Sequence, residues 1–264
     1  MFQKRTVCCD CLVWLFGLIT SEHCVWHIIV KHSNNITNIR SKMMENKGRL
    51  KLILFSTEMV NAILDGRKTQ TRRVVKKDIS NQFDVDVDGT AYAYIEPETG
   101  DHYKPVEISR IRPSDILWVR ETWQTVPAES GDGYAYVYKA SSNGQDWATN
   151  TEGWKWRPSI YMPKEAARVF LRVKDVRVER VQEIDTDDAI AEGCSGVPCD
   201  CLQFGRGWMG CESCMNTGWQ EPPIVEFMQL WDSINSKRGF SWDINPWVWP
   251  ITFERTDKPE FWPL

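Results

Sequence analysis

Residues 52–77 read LILFSTEMVNAILDGRKTQTRRVVKK, and this stretch decides the fold. The apolar run Leu52-Ile53-Leu54-Phe55 predicts a short strand. Ser56 after it is a good helix N-cap, and Glu58 falls in the positive first turn. Met59, Val60, Ile63 and Leu64 recur at helical spacing and predict a helix with one buried face. Gly66 stands where a left-handed residue ends such a helix. Beyond it come Arg67, Lys68, Thr69, Gln70, Thr71, Arg72 and Arg73, with Lys76 and Lys77 following. A helix C-terminus carries partial negative charge, and some of these cations complement it, but one helix end does not require so many. The excess reads as a local surface for an anion or nucleic acid, the plainer alternative being a solvated run of charge.

The run DGRKTQTRRVVK at 65–76 resembles the signature of the ASCH family. The segments PSDILWVRETW at 113–123, WRPSIYMPKEAARV at 156–169 and NPWVWPITFERT at 245–256 follow in the order of a phage-encoded branch. Together they span about Leu52 to Thr256, with long insertions between blocks, and they are specific as a set and weak singly. The resemblance implies an α+β fold, a small PUA-like β-barrel flanked by short helices, with a cleft beside the first helix that takes RNA or a modified nucleoside. Arg67, Arg72 and Arg73 are then binding residues, Arg120 edges the cleft, and Trp123 offers a ring face to a base. One bacterial branch of the family hydrolyses acetylcytidine as an amidohydrolase with a Lys, a Thr three residues on and a later Glu. The resemblance maps these roles onto Lys68, Thr71 and Glu192.

Lys68 is crowded by Arg67, Arg72 and Arg73, and like charge favours a neutral amine that can act as a base toward a Thr71 nucleophile. On one straight strand, however, residues 68 and 71 point to opposite faces. Both line one cleft only if the helix-to-strand turn persists through about Thr69. Glu192 closes the short helix IDTDDAIAEG at 184–193, which has Asp185 or Thr186 as N-cap and Gly193 as its stop. A helix end is an electrostatically poor place for an acid, which favours a purpose for Glu192 over an ordinary surface role.

With 264 residues, 42% hydrophobic, the chain can bury a real core. A net charge of −4 argues against a protein that coats duplex nucleic acid over its whole surface, so any polyanion contact is local. Its 14 tryptophans read mainly as core. Cys199-Asp200-Cys201 and Cys211-Glu212-Ser213-Cys214, separated by a glycine-rich stretch, suit one structural zinc with four thiolates, Cys194 being a possible substitute in the first pair. Disulfides or free thiols are the alternative. The knuckle, 194–221, is an insertion within a domain expected at 47–258, before a tail at 259–264. It carries Arg206, Trp208 and Trp219 as a lip over the cleft.

Residues 1–46 read differently. They are expected to be a non-family extension, disordered or the product of an upstream start, with Met43 or Met44 a natural beginning. The apolar run Leu12 to Ile19 is shorter than the ~20 residues that span a bilayer, so no stable membrane association is expected. A metal site from Cys8, Cys9, Cys11, His23, Cys24 and His27 matches no familiar ligand spacing. For a phage-encoded protein the expected location is the host cytoplasm. Asp84-Val85-Asp86-Val87-Asp88-Gly89 lacks the closing Glu of a calcium loop and predicts a hairpin turn at Asp88-Gly89. Arg168 to Val181 predicts strand, and Pro222 to Ile234 an amphipathic helix with Phe227, Leu230, Trp231 and Ile234 inward. Three functions follow: a module binding RNA or a nucleoside, a hydrolase of an acylated nucleoside, and a phage accessory protein with a protein partner.

Overall fold

The computed structural model describes residues 48–128, 132–141, 155–200, 211, 214, 217–260 and 262. The expectations for 1–46, Cys201, Arg206 and Trp208 lie outside those residues. Strand β1 (Leu50–Leu54) leads through the Ser56 cap into helix α1 (Thr57–Leu64), where the Ser56 hydroxyl accepts the Met59 N–H at 3.3 Å. Val60, Ala62 and Ile63 are its buried face, and Gly66 takes the left-handed conformation, φ +77°, that turns the chain toward β2 (Gln70–Val74).

Helix α2 (Lys77–Ser80) is one turn. Strands β3 (Phe83–Val85), β4 (Ala91–Ile95) and β5 (His102–Tyr103) form a small antiparallel sheet. Its first turn carries Gly89 at φ +88°, and the Asp86 and Asp88 carboxylates accept the Thr90 N–H. These acids cap the turn of the β3–β4 hairpin. Strand β6 (Ile116–Arg120) follows, then the hairpin β7 (Trp123–Pro127) and β8 (Tyr134–Tyr138). The run predicted as strand over 168–181 is broken into β9 (Phe170–Val176) and β10 (Glu179–Arg180). After α3 (Thr186–Ala191), the two-stranded ribbon β11 (Val197–Pro198) and β12 (Trp219–Glu221) roots the cysteine insertion, and α4 (Pro223–Asn235) and β13 (Trp247–Thr256) complete the chain.

The main sheet is a curled half-barrel. β1 runs parallel to β6; β6, β9 and β13 are successively antiparallel; β10 continues β9 along one edge of β13, and β2 pairs with its other edge. Between β2 and β1 no strand pairing closes the curl. There the Arg73 side chain donates to the Leu54 carbonyl at 2.8 Å. β13 therefore lies inside the sheet although it contains Pro250, and proline within a strand ordinarily marks an edge or a bulge. The missing N–H costs nothing because it falls at the corner between β9 and β10, where Pro250 only accepts, from the Arg177 N–H at 3.0 Å. The bulge lies two residues on, at Thr252/Phe253.

Three cores result. The first lies inside the curl, around Leu117, Leu171, Val173, Ile251 and Phe253. The second packs Trp118, Trp123, Met162, Phe170 and Trp262, and the third joins α3 to α4 through Ile184, Ala189, Phe227 and Trp231. Among the described residues Trp118, Trp123, Trp231, Trp247, Trp249 and Trp262 are buried in these cores, as the large apolar area of the side chain predicts, while Trp156, Trp219 and Trp242 are partly exposed. Among the described residues no helix is long and apolar enough to cross a membrane.

Candidate functional site

The chain from Gly66 to Thr69 is neither helix nor strand, and two backbone bonds pin it. The Lys68 N–H donates to the Ala62 carbonyl at the end of α1, and the Thr69 N–H to the Ala191 carbonyl at the end of α3. The second bond brings two segments distant in sequence side by side. The approach is close. A Cβ on Gly193, which has φ +95°, would stand 3.2 Å from the Ala62 Cβ and 3.3 Å from the Lys68 Cβ. Only glycine lets the end of α3 sit here.

The Lys68 side chain is 0% exposed and its Nζ donates to Glu192 twice, to Oε2 and to the backbone carbonyl, each at 2.7 Å. Lys68 is therefore neutralised by a carboxylate instead of being pressed only by like charge. A buried ammonium is tolerable only with such partners. The other Glu192 oxygen accepts from Arg72 Nη1 at 3.4 Å. Arg72 also binds Glu179 at 2.6 Å and Asp188 at 2.5 Å, with its guanidinium 5.7 Å from the centre of the Phe227 ring. Burial pulls the Arg72 guanidinium down, but Glu192, Glu179 and Asp188 outweigh it and hold Arg72 above the ordinary arginine value. Burial raises Glu179 despite Arg72. Burial also pushes Asp188 up, but Arg72 prevails and holds it below the usual aspartate value.

A cleft of about 170 Å³ opens beside this network, lined by Met59, Thr71, Arg72, Arg73, Val74, Glu192, Phe227, Leu230, Trp231, Ile234, Asn235 and Arg238. Strand β2 begins only at Gln70, so the turn persists through Thr69, and Thr71 and the Lys68-bound Glu192 border one space. The Thr71 hydroxyl makes no hydrogen bond among the described residues.

The structure thus joins Lys68, Thr71, Arg72, Arg73 and Glu192, and it separates the remaining expected residues from them. Arg67 is on the exposed rim, bonded to Asp65 and the Gly193 carbonyl. Arg120 lies 5.0 Å from the Trp118 ring centre and donates to the Ile160 carbonyl. Trp123 is 4% exposed in the second core, beneath Arg157, so its ring has no free face for a base. Neither Arg120 nor Trp123 borders the cleft. Arg72 borders it, but its own side chain is 0% exposed and spent on three carboxylates. Sequence reasoning missed Glu179, Asp188 and Arg238. Their only sequence signal is charge, which is common on any surface.

Cys199, Cys211 and Cys214 bring their sulfurs within 4.8 Å of one another at the root of the insertion, and this cluster could hold a metal ion. The Cys199 and Cys211 sulfurs are 3.7 Å apart, too far for a disulfide. Cys194 is not part of the group. It lies buried in the third core, and burial, aided by Glu226 and Glu192 and opposed by Lys68, pushes its thiol up to about 12. The expected fourth ligand, Cys201, falls outside the described residues. No family model, no curated protein and no solved structure matches the chain.

Proposed function

We propose that the chain is a PUA-like module of the ASCH type that binds RNA or a modified nucleoside in the cleft between α1, β2 and α4. The observation that carries this reading is the composition of that cleft. Its lining combines polar groups, Thr71, Arg73, Glu192, Asn235 and Arg238, with apolar ones, Met59, Phe227, Leu230 and Ile234. A base has an apolar face and a polar edge, and such a cleft matches both. The order of the motif blocks supports the same assignment. A cleft of about 170 Å³ is smaller than the ~300 Å³ at which pockets begin to enclose whole ligands, so it seats one group of a larger molecule.

Binding is favoured over catalysis because the proton-transfer groups are already occupied. Lys68 is sealed from solvent and both Glu192 oxygens are engaged. The second reading, an amidohydrolase, draws on the Lys68–Glu192 contact of 2.7 Å beside an unbonded Thr71 hydroxyl. Its reaction would add water across the amide C–N bond of acetylcytidine, releasing acetate and cytidine, with Glu192 or Lys68 moving the protons. The cysteine cluster is assigned to structural zinc. A tetrahedral ion with Zn–S bonds of ~2.3 Å holds its sulfurs about 3.8 Å apart, and Cys199 and Cys211 stand at 3.7 Å. Four thiolates leave no open position, so this metal would hold the insertion in shape and activate no water.

Incubating the protein with acetylcytidine and with short RNA, as wild type, Lys68→Ala and Thr71→Val, separates the readings. Salt-sensitive RNA binding without acetate release supports the binding module. Acetate release abolished by either substitution supports the hydrolase. Neither result leaves a protein partner as the remaining function.

A further inference from the structure

Arg72 is surrounded by carboxylates, but two other guanidiniums that border the same cleft are not. Arg73, half-buried, donates to the Leu54 carbonyl at 2.8 Å and lies 5.2 Å from the Phe55 ring centre. Arg238, just beyond α4, donates to the Asn235 side-chain oxygen at 3.1 Å. Both bonds are to neutral oxygens. Among the described residues, neither arginine has a carboxylate at ion-pair distance. In a chain of net charge −4, two cations left facing one cleft are not a by-product of general surface basicity. Arg238 also adds to the electrostatic cost of keeping Arg73 charged. Burial lowers the Arg73 guanidinium from its ordinary value, Glu192 opposes this, and the charge of Arg238 adds to it. A bound anion relieves that repulsion. Asn235, itself 6% exposed, orients Arg238, and Leu54 orients Arg73, so both donors are held before any ligand arrives.

We propose that Arg73 and Arg238 form a phosphoryl seat, so that the ligand of this cleft is a nucleotide or an RNA phosphodiester and not a free nucleoside. The proposal deepens the nucleoside-binding reading and rests on it for the identity of the base. Guanidinium groups bind phosphate through charge-assisted, often paired hydrogen bonds, and the seat leaves the Thr71–Glu192 side of the cleft for the remainder of the ligand.

The test is calorimetric titration of the full chain with cytidine, cytidine 5′-monophosphate, a short RNA and inorganic phosphate, comparing wild type with Arg238→Gln. Arg238 is exposed, and its substitution leaves the Lys68–Glu192–Arg72 network untouched. The expected result is monophosphate binding about tenfold tighter than cytidine, with that advantage lost in the variant while cytidine affinity stays the same. The salt dependence of RNA binding should also fall by about one phosphate contact. Equal affinity for cytidine and its monophosphate, unchanged by Arg238→Gln, overturns the phosphoryl seat but leaves the nucleoside reading standing. Phosphate binding that depends on Arg238, with no response to nucleoside or RNA beyond it, keeps the seat and removes the nucleoside reading. Silence from all four probes removes both.

Discussion

Lys68 and Glu192 form a unit whose two halves cannot be removed separately without cost. With side chains 0% and 4% exposed, deleting Glu192 strips Lys68 of its carboxylate, and deleting Lys68 leaves Glu192 largely buried with only the longer Arg72 contact. Lys68→Ala is therefore expected to cost about 3–5 kcal/mol. Lys68→Met combined with Glu192→Leu should cost less than the sum of the single changes, as a double-mutant cycle by chemical denaturation would show. Additivity would mean that the pair is not coupled. The neighbouring Asp188 gives a pH signature. Its carboxyl is held below its ordinary value, so its stabilising contribution is complete above about pH 4, the unfolded aspartate value, and is lost as pH falls through the lower folded value. The stability gap between wild type and Asp188→Asn should thus be full at pH 7 and close only in acid. A gap that closed between pH 5 and 7 would contradict the assignment. Cys194 makes a kinetic prediction. A thiol near 12 is thiolate at only about one part in 10⁴ at pH 8. Peptide mapping after iodoacetamide treatment should show Cys194 unmodified in native protein and fully alkylated in denaturant.

Local elements were legible where local chemistry makes them. The Ser56 cap, the 59-60-63-64 spacing and Gly66 specify α1 without help from the rest of the chain, and Asp185 with Gly193 does the same for α3. Helix α4 was found but its buried face was set differently. Pro223, Phe227, Trp231 and Asn235 are inward, and Ile234 is 42% exposed at the cleft. Spacing cannot distinguish a residue facing core from one facing a cleft. The Glu121–Arg168 pair was similarly hidden, since its members lie in separate blocks. Glu121 is 1% exposed and Arg168 grips both its oxygens at 2.8 Å, with the guanidinium 4.0 Å from the Tyr138 ring centre. Arg168→Ala should destabilise by about 3–5 kcal/mol. Arg168→Lys should rescue only part of this, because an ammonium cannot reproduce the two-point grip. Equal stability of the alanine and lysine variants in urea would refute a role for the fork geometry.

The arrangement of the whole molecule was the least legible level, because its determining contacts are remote in sequence. The pairing of β1 with β6 is parallel and depends on a long connection, and β13 completes the sheet from the far end of the chain. Nothing within any one block specifies these partners. The convergence of the 66–73 turn with Glu192 was expected from the motif resemblance, and its physical cause is now visible in Gly193 and the Ala62, Lys68 and Ala191 backbone bonds. The cysteine insertion has a place in this arrangement. It leaves the chain after Gly193, where one side of the cleft ends, and returns at Pro222, where α4 starts the other. Its root is tied across that gap: the Ser195 and Gly196 N–H groups donate to Glu226 of α4 at 2.8 and 2.9 Å, and the Cys199 N–H donates to the Gly218 carbonyl at 2.9 Å. A metal held by Cys199, Cys211 and Cys214 would stiffen this clasp, so its removal should act on both stability and the cleft. Protein purified without chelator should contain one zinc per chain by elemental analysis. Chelation should then lower Tm by several degrees and weaken cleft ligands, and the same treatment of a Cys214→Ser variant should have no further effect. Metal loss that left both Tm and ligand affinity unchanged would show that the insertion and the cleft are independent.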